Sequence, residues 1–175
     1  RVMRGPTPAD RMLTAQLFGT GGVALLLILA QAMHEEYVRD QKAHGETRTT
    51  NPSMAPWTEL PEARKESSRA QAAHIGTKLA AVACDLAPLT DWNAEDFAFR
   101  EDELDLLARM EHDRWVEERR EAGWVLGPKD PTIPASPHLV PWDELDEQTR
   151  ELHRLFIRSL PKFLAQAGFQ ILRLD

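Results

Sequence analysis

Four side chains in the second half of the chain join aromatic surface to polar groups at helical spacing: Glu111, His112, Trp115 and Arg119. Residues three or four apart share one helix face, so these four rise along a single stripe. An indole face there can stack on a flat heterocycle, an imidazole can bond a base edge or a ribose, and a guanidinium fork can hold a phosphate. Trp124 and Lys129, just beyond Gly123, would add an aromatic edge and a second cation. An earlier pair, His34 and Tyr37, repeats the imidazole-to-aromatic spacing. Each residue also has a purely structural reading. Aromatics at this spacing fill cores, histidines brace packing, and Arg119 sits in a Glu117-Glu118-Arg119-Arg120-Glu121 run where surface ion pairing is common. Spacing alone leaves both readings open.

Other chemistry is excluded more firmly. There is no nucleophile elbow, no phosphate loop and no second histidine four residues after either His34 or His112, so neither hydrolysis nor a helix-borne metal is expected. Gly19-Thr20-Gly21-Gly22 lacks the third spaced glycine of a dinucleotide turn and reads as an ordinary helix start. The remaining carboxylates fit solvated helix faces.

The elements that carry these residues occur twice. His34 and His112 are 78 residues apart, as are Gly45 and Gly123. Further on, Trp57 and Trp142, each after a proline, are 85 apart, and the difference falls in the Pro/Gly-rich stretch after Gly123, where added loop length costs little. Helical periodicity predicts a helix over residues 23–44, ended by Gly45, and an equivalent one over residues 101–122, ended by Gly123. In each copy a second helix follows the Pro-Trp pair, to about Val82 and Gln166, and Pro161 is expected to kink or split the later one. Alternating runs at Cys84-Asp85-Leu86 and at residues 169–174 predict a short strand closing each copy. Trp57 and Trp142 read as structural anchors. The organisation expected is an N-terminal segment 1–22, a first repeat 23–90, an ordered linker 91–100 whose Trp92, Phe97 and Phe99 want burial, and a second repeat 101–175.

At 175 residues the chain can bury about 70% of its unfolded surface. A net charge of −7 offers no field for nucleic-acid backbones, so no duplex partner is expected. The single cysteine, Cys84, excludes a disulfide framework and fits a reducing, cytoplasmic setting. The apolar run at residues 23–32 is too short to span a bilayer, so no membrane insertion is expected. Because the chain opens on Arg1 without a signal-like segment, it reads as a piece of a longer protein whose other domains are its partners.

The run Leu107-Ala108-x-x-Glu111-His112-x-x-Trp115-x-x-x-Arg119-x-x-x-Gly123-Trp124-x-x-Gly127, followed by Pro137-x-Leu139-Val140-Pro141-Trp142-x-x-Leu145, resembles the ryanodine-receptor repeat, or RyR domain. The similarity is strong over residues 101–174 and looser over 23–89, so the chain looks like a tandem pair. It also resembles the free-standing bacterial and phage versions of the domain. The resemblance implies a mainly α fold of two pseudo-symmetric helical repeats, each with two main helices, long loops and a short strand. It implies no catalysis and no cofactor. It implies instead a regulatory, ligand-sensing module holding an adenine nucleotide or related small aromatic ligand between the copies, with Tyr37 and Trp115 as the matching aromatics. The first copy departs from the pattern with Tyr37 for Trp, Gln41 at the Arg119 position and Glu46 at the Trp124 position. The alternative is a protein–protein interaction or scaffold module without a small-molecule ligand.

Overall fold

A computed structural model describes residues 22–43, 45–128, 130 and 132–174. The N-terminal segment through Gly21, His44 and Lys129 therefore lie outside the described residues. The fold is mainly helical, with a few short strands. In chain order the helices are α1 (Gly22–Ala43), α2 (Glu62–Ala73), α3 (Ile75–Ala81), α4 (Glu101–Glu121) and α5 (Glu147–Gln166). The strands are β1 (Cys84–Pro88), β2 (Val125–Leu126), β3 (Ala135–Ser136) and β4 (Phe169–Arg173). Among the described residues no helix is long and apolar enough to cross a membrane.

The helix ends explain the periodic glycines. Gly45 and Gly123 both take positive φ, 82° and 77°, a region that costs glycine nothing. In each case the following N–H reaches back to a carbonyl five residues earlier, Glu46 to Gln41 and Trp124 to Arg119, closing a Schellman turn. At the start of α4, Arg100 donates its backbone N–H to the Glu103 carboxylate, which also pairs with the Arg100 guanidinium.

Contacts divide the described residues into two compact units, one of those up to Phe97 together with those from Pro161 onward, the other of Ala98–Leu160. In the first, Leu29, Ala30 and Met33 of α1 are buried, as are Ile75 and Leu79 of α3. The two strands expected to close separate copies pair with each other instead. β1 runs antiparallel to β4, with Leu86 opposite Ile171. Gln170 then ties the linker down, its Oε1 accepting from the Thr90 and Asp91 backbone N–H groups at 2.9 and 2.8 Å. In the second unit Leu104, Leu107 and Ala108 of α4 are buried, as are Ile157 and Leu160 of α5. A short parallel pair, β2 with β3, spans the loop after Gly123.

Three expectations are corrected. The helix is not split at Pro161, which lies inside α5. A mid-helix proline costs about 3 kcal/mol, but Ile157, Leu160, Phe163 and Leu164 around it are all buried, at roughly 1.5–3 kcal/mol each, so burial wins. The break falls in the first copy, at His74, where Ile75-Gly76-Thr77 offers three poor helix formers in a row. Of the linker aromatics, Phe99 is buried and Phe97 is half-buried under the Arg173 guanidinium, but Trp92 is 100% exposed.

Candidate functional site

The second unit assembles most of the polar–aromatic set predicted on α4. His112 is fully buried, and its Nε2 lies 2.8 Å from the Val140 carbonyl oxygen. A carbonyl only accepts, so this ring nitrogen carries the proton and donates. The bond joins the helix to the loop just before Pro141-Trp142. The imidazole stacks on Trp115 at 6.0 Å and 25°, with Trp142 at 6.0 Å on another side. His153 of α5 meets it edge-on at 5.1 Å. Burial, then the neighbouring His112, pushes the His153 pKa down to about 4.

Trp115 is half-buried. One turn further along α4, the Arg119 guanidinium lies 5.7 Å from the Trp115 ring centre and 4.9 Å from that of Trp124. The Schellman turn after Arg119 is what swings Trp124 back over it, since the Trp124 N–H is bonded to the Arg119 carbonyl. Two cation–π contacts thus orient a cation that is only 14% exposed and within 3.8 Å of Glu118. Glu111 is engaged by its own helix. It is buried and paired with Arg114 at 2.8 Å, and Arg114 reaches Glu118 at 2.5 Å. Burial pulls on the Arg114 pKa, but Glu111 and Glu118 outweigh it and raise the value. Glu111 is therefore a member of an ion-pair chain with Arg114 and Glu118. Lys129 is outside the described residues.

The first unit repeats the brace on a different set. His34 Nε2 lies 2.8 Å from the Ala55 carbonyl, just before Pro56-Trp57, as His112 does before Pro141-Trp142. Its ring is 6.2 Å from Tyr37 and 5.9 Å from Trp57. Tyr37 is 39% exposed. Its hydroxyl accepts from Asn51 Nδ2 at 2.9 Å, and the same amide donates to Gln41 Oε1 at 3.3 Å. Gln41, at the position of Arg119, thus belongs to a neutral amide network where the second unit has a cation over indoles.

Sequence reasoning missed Asn51 and His153. Asn51 lies in an Asn-Pro that signals only a loop, and its side chain also caps the short 3₁₀ turn Pro52–Met54. His153 shares no repeat partner and no motif. Both Pro-Trp tryptophans, by contrast, pack against their copy's histidine, which their paired spacing allows one to find.

Comparison with known proteins bears on the later part of the chain, across the second unit and into β4. Residues 100–173 match the RyR domain family. The matched stretch contains Glu111, His112, Trp115, Arg119 and Trp124, whereas His34 and Tyr37 fall outside it. No curated protein matches the chain.

Proposed function

We propose that this protein is a non-catalytic, cytoplasmic ligand-sensing module of the RyR type, in which residues 23–90 form a diverged first copy of the matched domain. Its ligand is a nucleotide or related small aromatic molecule. The observation that carries this reading is the Arg119 guanidinium held by two indoles, 5.7 Å from Trp115 and 4.9 Å from Trp124. That arrangement presents aromatic surface and a cation together, the pair of features that a base and its phosphate require. In the first copy Tyr37 keeps an exposed ring but has Gln41 for a cation, so the phosphate-facing part of recognition belongs to the second copy.

Calorimetric titration with adenosine and with ATP tests the reading. Trp115→Ala should abolish binding of both, while Tyr37→Ala should weaken both by about 1–3 kcal/mol, the loss of one stacking face. Arg119→Gln, which copies Gln41, should weaken ATP more than adenosine. Equal losses for the two ligands would leave Arg119 a structural residue. Binding of neither by the unaltered protein, or by a screen extended to cyclic dinucleotides, would refute the ligand-sensing reading.

A further inference from the structure

We propose that a groove beside α4, separate from the Trp115–Arg119–Trp124 stack, docks an extended basic–apolar peptide segment of a partner protein. The groove has a volume of about 520 Å³ and lies within the second unit. One wall is apolar, made by buried Val116 with Val140 and Pro141. This wall is fixed in place, because the Val140 carbonyl is the acceptor for His112. The other wall is the stripe Asp113, Glu117 and Glu121, all exposed.

That stripe works against the helix that carries it. Carboxylates at i, i+4 and i+8 repel one another. Glu111 and Glu118 of the same helix are both engaged by Arg114, at 2.8 and 2.5 Å, but Asp113, Glu117 and Glu121 form no ion pair among the described residues. Arg120 also lines the groove, which leaves it two negative charges in excess, three carboxylates against one guanidinium. A cationic partner segment would relieve the repulsion.

An extended conformation of that segment matches the spacing of the stripe. Carboxylates four residues apart on a helix repeat every ~6 Å along its axis. Alternate residues of an extended strand repeat every ~6.6 Å. Arg or Lys at alternate positions can therefore keep step with the three carboxylates, while the residues between them point to the apolar wall.

The test is fluorescence anisotropy with a labelled octapeptide of alternating Arg and Val, against an alternating Arg-Ser peptide of equal charge. The Arg-Val peptide should bind at low salt, more tightly than the Arg-Ser peptide, and lose affinity as salt is raised. Asp113→Asn/Glu117→Gln/Glu121→Gln should weaken it about tenfold or more, with a melting temperature equal to or above the parent's. Glu117→Lys alone, at an exposed position, should weaken it too. Trp115→Ala and Arg119→Gln should leave it unchanged, which separates this proposal from the ligand site. Absence of binding, equal binding of the two peptides, or equal binding by the neutralised variant would overturn the proposal. So would a concentration-dependent dimer that the neutralised variant abolishes, which would make the occupant a second copy of the chain.

Discussion

Acidification should destabilise this protein through His153 before its carboxylates matter. The imidazole sits against His112 at 5.1 Å and Trp142 at 6.0 Å, and the charges around it are those of His112, Glu111, His138 and Arg114. Burial and then His112 disfavour its protonated form, so its pKa falls from 6.5 to about 4 in the folded state. A group whose folded pKa is depressed binds its proton more readily when unfolded. The stability it confers is complete above pH 6.5 and is lost as pH falls towards 4. The full effect is about 3 kcal/mol, and integration from pH 7.5 to pH 5 gives a loss of about 2 kcal/mol. The carboxylates whose pKa values are lowered, Glu62, Asp130, Asp146 and Glu151, are held down chiefly by hydrogen bonds from Arg69, Thr132, Thr149 and Arg158. Their contributions fade only below their ordinary values near 4, outside that window. Urea titrations at half-unit pH steps on the parent and on His153→Gln measure the difference directly. The variant's stability should be flatter by about 2 kcal/mol between pH 7.5 and 5, whatever its absolute value. If His153→Gln keeps the parent's full slope, the buried-imidazole argument is wrong.

Two further outcomes follow from the paired geometry. Ala83 adopts φ 51°, where Gly168, 85 residues on, adopts φ 83°; Ala83→Gly should therefore raise stability by up to about 1 kcal/mol in chemical denaturation, since relief of left-handed strain exceeds the entropy cost of glycine. His112→Ala should cost about 3–5 kcal/mol, combining a fully buried ring with an orphaned Val140 carbonyl, and His34→Ala less, because His34 keeps 8% exposure; equal losses in denaturant would show that the two braces are not weighted by burial.

What could be read from the chain before its structure follows the range of the interactions involved. The glycine stops were legible because a Schellman turn is decided within six residues, and Gly45 and Gly123 each close one. The buried stripe of α4 was legible because helical periodicity is local, and Leu104, Leu107, Ala108 and Glu111 are all buried as spaced. The partner of each stripe was not. Cys84 pairs with Arg173 across 89 residues, and nothing in either short run states that the other is its neighbour. The same distance effect hid the braces: His34 reaches Ala55 and His112 reaches Val140, 21 and 28 residues away.

Pro161 and Trp92 mark the opposite failure, where a sound local rule was outvoted or unsupported. At Pro161 the local penalty is real, but four buried apolar neighbours hold the helix together. At Trp92 the aromatic composition of the linker argued for burial, yet the Thr90 and Asp91 backbone N–H groups donate to Gln170 Oε1, an anchor that needs no ring. The start of the linker is thus anchored by a polar side chain of β4. The indole is left wholly outside, while Phe99 meets the burial that three aromatics were expected to share. The candidate site obeys the same logic. Its helix-borne members, His112, Trp115 and Arg119, follow from spacing, and Trp124 joins them through a local turn. Whether the stack faces a ligand is decided by groups far away in sequence, which is why substitution at Arg119 against Gln41, rather than further pattern reading, is the comparison that carries weight.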